Sequence, residues 1–537
     1  MATSTSNYNN NNNDDHNKNN NHIEWGAVSN LANTAIGAGV LSFPFAYSLT
    51  GLGFGILLTI CFAIICSISQ SWVATFQRRT KAESYEELIG VIFQSKSVGT
   101  IMQLIVFVYQ LGACVAYILV FCDQATPLIS YLVSEEKKSN GGENSGFMTF
   151  ISYRGTQVLF VSAFLMLPPS LFKDVKALEK ISPIAIVAVG TMAIVVISSS
   201  VDNINNTNGG IVEIVKKDVN IWETDFYNIA KAIPILCFAL QSHINIPIIM
   251  SSVPNAKPWS IILSAYSIVC SIYIPVGLFG YILFRNLVHT KDGFPGDVLN
   301  GFSVKETFAD IARICMMITA IVSYPINHFP GRSATFNLLF PNRNNNSLPL
   351  LYFKIHALLF TALAALIAYA IPKIEVVFGV MGATVASSVM FIIPGFLVLR
   401  DKYMQDNGLK IDNDGVINYS QLEGFEDDNG YNRINHENIN NNNNNKNMNY
   451  GSMLQSPPSS LDNNNNDISV DEFASAFSHT PSKKNITRDR DLSFEVGNYH
   501  YSGTTKGWYM YTWLAVLYIF GGAVIAIVGT VMSLQGE

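Results

Sequence analysis

Two short stretches carry residue types whose spacing could do chemistry inside an apolar chain. Residues 33–47 read NTAIGAGVLSFPFAY. Gly37 and Gly39 relax a helical backbone, and Pro44 removes an amide donor one turn further on. Residues 232–254 read AIPILCFALQSHINIPIIMSSVP, where Pro234 and Pro247 bracket Gln241, Ser242, His243 and Asn245. Four polar side chains within five residues are costly in hydrocarbon unless they face a cavity or each other. Main-chain groups freed by a break can serve a ligand. Free N–H groups at a half-helix N-terminus suit a carboxylate, and freed carbonyls suit an ammonium or a small cation. The alternative for the GAG triplet is a close helix–helix contact, which small residues also permit.

The elements that must hold these stretches are membrane helices. The chain has 537 residues, of which 49% are hydrophobic and only 13% charged, about half the charged fraction of soluble domains. Apolar runs long enough to cross a bilayer fall near 28–48, 52–76, 99–122, 154–172, 182–201, 227–249, 260–284, 306–327, 354–371, 374–399 and 511–533. These eleven runs are numbered here as spans 1–11. Pro372 separates spans 9 and 10 by a tight turn, because one helix through both would be too long for a single crossing. The two interrupted runs are the first and the sixth. If spans 1–5 and 6–10 form inverted repeats, the breaks occupy corresponding positions, which points to the central site of a secondary transporter.

Other classes find little support. The net charge of −6 gives no basic footprint for nucleic acid. The seven cysteines lie within apolar runs and suggest no disulfide framework. No phosphate-binding loop, HExxH or nucleophile elbow is present, and no nucleophile with its base can be assembled, so the expectation is a non-enzyme without a cofactor.

Residues 1–22 and 401–506 are rich in asparagine and poor in apolar residues. Such composition buries too little surface to offset chain entropy, and both are expected to be disordered. Residues 23–400 then form the membrane core of spans 1–10, and 507–537 hold the eleventh helix and a short C-terminus. Short-loop Lys and Arg number eleven on the side of the N-terminus (Arg78, Arg79, Lys81, Lys96, Lys173, Lys176, Lys180, Lys257, Arg332, Arg343, Lys354) and eight on the other. This bias places the N-terminus and the long Asn-rich loop in the cytoplasm. Asn205 begins an Asn-Asn-Thr glycosylation sequon in a loop this topology places outside or in a lumen.

NLANTAIGAGVLSFPFAY in span 1, IPILCFALQSHINIPII in span 6 and YPINHFPGR closing span 8 resemble the amino acid/auxin permease family, within it most nearly the sodium-coupled neutral amino acid transporters. The resemblance covers roughly 24–400 and 508–533. It implies an all-α polytopic membrane protein of eleven helices, with a LeuT-type 5+5 inverted repeat plus one extra helix. A neutral L-amino acid such as glutamine would bind at the broken centres. Gly37, Ala38 and Gly39 would offer backbone donors to its carboxylate, with Ser242 and His243 beside it. The resemblance places sodium ligands on Asn33 and Ser323, with Thr319 one turn before on the same face.

Proton coupling is the alternative. His243, with Gln241, would then act in gating or proton transfer; equally, these side chains could simply tie helices together. The departures are the absence of loop cysteines and the long Asn-rich insertion. That insertion supports a rival reading, a membrane amino-acid sensor whose cytoplasmic segments bind partners. Plasma and lysosomal or vacuolar membranes fit equally.

Overall fold

The computed structural model describes residues 24–139, 146–172, 182–289, 293–303, 306–341, 348–406, 410–411, 417–418, 492–496, 499–503 and 505–534. Its body is a bundle of long apolar helices. Nine among the described residues are long and apolar enough to cross a membrane: Leu52–Thr80, Ser97–Glu136, Ile184–Asn206, Phe226–Ser252, Pro258–Val288, Thr307–Leu339, Leu350–Ala370, Ile374–Asp406 and Tyr511–Leu534. They coincide with spans 2, 3 and 5–11. The two remaining runs are helical but broken. Span 1 is Trp25–Ala35, a tight 3-10 turn Ala38–Ser42, and Phe43–Thr50. Span 4 runs Arg154–Phe160, a wider π segment Val161–Met166, and Leu167–Ser170.

Several boundaries differ from the sequence reading. Span 8 continues to Leu339 through Pro325 and Pro330, because packing against spans 3 and 5 holds the helix together where the prolines remove donors. Span 10 continues to Asp406, where Asp401 accepts a hydrogen bond from Arg79 of span 2 at 2.8 Å. Residues 401–406, expected to be disordered, are helical instead. The tail 1–22 and most of 401–506 lie outside the described residues; within the latter, two short antiparallel ribbons pair 410–411 with 417–418 and 492–496 with 499–503. Spans 9 and 10 are joined by only Ile371–Lys373, as Pro372 suggested. Asn205 is exposed, but on the last turn of span 5 rather than in a loop.

Span 6 is held at the centre. It packs between span 1 on one side and spans 10 and 11 on the other. Its neighbours carry glycines where they cross it. A Cβ on Gly39 would lie 2.6 Å from Ala239 Cβ, and one on Gly382 would overlap the Pro234 carbonyl. Backbones this close bring two broken helices into register around a shared interior.

Candidate functional site

The two breaks are built alike. Span 1 leaves helical geometry at Ile36–Gly37, where Gly37 is extended (φ −107°, ψ −154°), then makes the 3-10 turn Ala38–Ser42 before Phe43-Pro44 opens the next helix. Span 6 leaves it at Gln241–Ser242, makes the 3-10 turn His243–Asn245, and resumes at Ile246-Pro247. In both, the proline lacks the N–H that would reach back four residues. The preceding residue takes that carbonyl instead: Phe43 N–H donates to Val40 O, and Ile246 N–H to His243 O.

The carbonyls freed on the N-terminal side of each break find partners on span 7. Tyr273 donates its hydroxyl to Ala35 O of span 1 at 2.7 Å and reaches Ala239 O of span 6 at 3.4 Å. Tyr266 donates to Leu240 O at 2.9 Å. The two tyrosines are seven residues apart, so they share one face of span 7 two turns apart. Ala35 O also accepts the Gly37 N–H at 2.9 Å; an unpaired carbonyl at this depth would cost about 1–3 kcal/mol, and the hydroxyls help the backbone stay open.

A small cavity of about 30 Å³ lies between the breaks. Its lining includes Ala35, Gly37, Ala38 and Gly39 of span 1, and Phe238, Ala239 and Gln241 of span 6. Tyr109, Ala113, Ala116 and Tyr117 of span 3 and Asn327 of span 8 close it. No charged side chain lines it. The first N–H groups of the 3-10 turn, on Ala38 and Gly39, have no acceptor within their own turn. The Gln241 side chain is buried, and its Nε2 has no hydrogen-bond partner. The space suffices for roughly two waters, so a larger guest requires movement of the lining.

The structure thus brings Gly37, Ala38, Gly39 and Gln241 to one cavity. It turns Ser242 and His243 elsewhere. Ser242 Oγ accepts from Gln70 Nε2 of span 2 at 2.7 Å, and Gln70 also donates to Tyr266 at 2.9 Å. His243, fully buried, pairs through Nε2 with Ser69 Oγ at 2.8 Å, and its Nδ1 has no partner. Both face span 2. Asn33, Thr319 and Ser323 are not among the cavity-lining residues. Asn33 is half-buried in the last turn before the span 1 break. Thr319 is buried and donates to Cys315 O at 3.0 Å. Ser323 O accepts from Asn327 Nδ2 at 2.9 Å, and its side chain lies with Asn327 beside the Tyr117 hydroxyl. Thr319 and Ser323 are one turn apart on a single helix, and Tyr117 links the second of them to the cavity wall.

Sequence reasoning missed Tyr266, Tyr273, Tyr117, Gln70 and Asn327. Gln70 offered a signal, since a buried amide in an apolar span asks for partners. The tyrosines offered little, because Tyr is common in membrane helices and its hydroxyl target is set by tertiary packing.

Comparison with known proteins gives a consistent picture. The family model described as transmembrane amino acid transporter protein matches residues 23–408. Sodium-coupled neutral amino acid transporter 7 of Danio rerio is 25% identical over 386 residues, covering 70% of this chain and 78% of the relative. Amino acid transporter AVT6A of Arabidopsis thaliana is 25% identical over 388 residues, covering 70% and 81%. Vacuolar amino acid transporter 2 of Saccharomyces cerevisiae is 25% identical over 391 residues, covering 70% and 76%.

Proposed function

The chain belongs to the transmembrane amino acid transporter family, and from that premise we propose that it is a secondary active transporter of neutral L-amino acids, glutamine among them, working by alternating access. It is a multi-pass membrane protein. The observation that carries the proposal is the paired break: two helices, opened at corresponding positions, face an uncharged cavity. A zwitterion suits it. The substrate carboxylate takes the N–H groups of Ala38 and Gly39, at the start of a turn whose dipole favours negative charge. The ammonium takes carbonyl oxygens at the breaks. A lining without Lys, Arg, Asp or Glu favours side chains without net charge, since an unpaired charge in this space is costly. Gln241 and Asn327 supply amide groups for a polar side chain.

We further propose sodium as the coupling ion, with Asn33, Thr319 and Ser323 as oxygen ligands. A hard monovalent cation prefers amide, hydroxyl and carbonyl oxygens. The relatives named for sodium coupling support this choice, and the vacuolar relative leaves the plasma and vacuolar or lysosomal membranes as the two candidate locations. Uptake of labelled amino acids into vesicles holding the purified chain, with sodium and pH gradients imposed separately, tests the proposal. Accumulation of glutamine driven by sodium alone supports it. Accumulation driven only by a proton gradient removes the sodium assignment, and binding of glutamine without accumulation above empty vesicles makes the protein a sensor.

A further inference from the structure

Loop 293–303, between spans 7 and 8, is folded into the body on the face opposite the N-terminus. Phe294, Val298, Leu299 and Phe302 are part of the buried core. The loop is fastened to three spans, two of which line the cavity. Gly296 O accepts from Ser42 Oγ at 2.7 Å, at the end of the 3-10 turn of span 1. Asp297 Oδ2 accepts from Gln124 Nε2 of span 3 at 2.5 Å, and Asp297 Oδ1 caps Leu299 N at 2.9 Å. Gly296 is pressed against the Glu375 carboxylate at the start of span 10, leaving no room for a Cβ.

The charges around Asp297 do not balance. Asp123 of span 3 and Glu375 of span 10 act on it as negative neighbours. Arg313 of span 8 is the nearby cation, but it donates to Asp310 at 2.6 Å and to the carbonyls of Leu299 and Phe302. Arg154 at the start of span 4 is held by Asp123 at 2.7 Å and by Pro372 O. Arg285 at the end of span 7 is engaged by Asp218 and Asn203. Within the loop, Glu306 is bonded to Ser303. A carboxylate that is 1% exposed thus sits in the field of two others. Burial first, and Asp123 next, push its carboxyl well above the usual carboxylate range.

The amide beside Asp297 can serve either protonation state. Gln124 is fully buried, and its Oε1 has no hydrogen-bond partner. As placed, the amide donates through Nε2 to Asp297 Oδ2; turned over, its Oε1 would accept the O–H of a neutral Asp297, with Nε2 then leaving that oxygen.

We propose that Asp297 is a proton-binding site that latches loop 293–303 shut when the medium on that face is acidic, and releases it as that medium approaches neutrality. Closing the loop takes up a proton, so acid favours the closed loop. That advantage is lost as pH rises from the ordinary carboxylate range, because an ionised Asp297 in place would be buried beside Asp123 and Glu375. Release frees Ser42 and with it the outer half of span 1. The consequence for access to the cavity rests on the alternating-access reading; the latch itself does not.

Hydrogen–deuterium exchange of the full chain in nanodiscs tests the latch, with rates at pH 5 and 7.5 corrected for intrinsic amide chemistry. In the unaltered protein, amides of 293–303 should exchange at least about tenfold faster at pH 7.5, each unit of displacement being worth tenfold. Asp297→Asn, always neutral, should stay protected at both values. Glu375→Gln, which removes a smaller contribution and leaves burial and Asp123 in place, should keep the pH dependence and move it only slightly. Equal protection of the unaltered loop at both values overturns the proposal, as does an Asp297→Asn variant that follows the unaltered pH dependence. Glutamine uptake by the same Asp297→Asn protein at one fixed pH reports separately on the carrier reading.

Discussion

Gly39 both lines the cavity and touches Ala239 of span 6. The two roles suggested by the GAG triplet, open backbone and close helix contact, therefore meet at one residue. Gly39→Leu should abolish uptake because its side chain runs into the Ala239 backbone rather than into free space. Even Gly39→Ala should lower the thermal midpoint, since overpacking costs about 1–3 kcal/mol; an unchanged midpoint would show that spans 1 and 6 can separate freely there. Tyr273→Phe deletes one of the two donors to the Ala35 carbonyl, leaving the Gly37 N–H. The expected loss is about 1 kcal/mol of stability together with slower uptake, read by a thermal shift and initial rates on the same preparation. Asn33→Ala should abolish sodium-dependent uptake while delivery to the membrane survives. Retained sodium dependence in that variant removes Asn33 from the cation site.

At the scale of elements, each break is a repeated unit of extended residue, 3-10 turn and proline. The prolines explain why the helix cannot close again, but not where the freed groups go. Span 7 supplies that through Tyr266 and Tyr273. Ser242 and His243 are bonded to Gln70 and Ser69 of span 2, so the second half of the span 6 break is braced rather than open to the cavity. Span 10 supports the break from behind, where Gly382 meets the Pro234 carbonyl. Gly382→Ala should destabilise the bundle by about 1–3 kcal/mol through backbone displacement. A melting curve superimposable on the parent would mean that spans 6 and 10 are not locked together.

At the scale of the whole molecule, the family match ends at residue 408, before most of the Asn-rich insertion. Deleting residues 420–490 should leave glutamine uptake within about twofold, if transport resides in the helical body and the insertion serves partners. Loss of uptake, with the protein still delivered to the membrane, would assign the insertion a part in the transport cycle. Loop 293–303 joins spans 1, 3 and 10 on the opposite face.

The sequence by itself determined that this is a helical membrane protein, and that its first and sixth spans open near Gly37 and Gln241. Apolar length, glycine and proline act locally, so their effects are readable along the chain. The turn at Pro372 was legible for the same reason. Only the tertiary structure decided which polar groups share a space. Gln241, Ser242 and His243 are adjacent in sequence, yet the first lines the cavity while the other two face span 2. Once the backbone leaves helical geometry at Gln241, the 3.6-residue period no longer dictates where successive side chains point. Their directions are then fixed by the partners that neighbouring spans offer, and those partners come from residues as distant as Ser69, Gln70, Tyr266 and Tyr273.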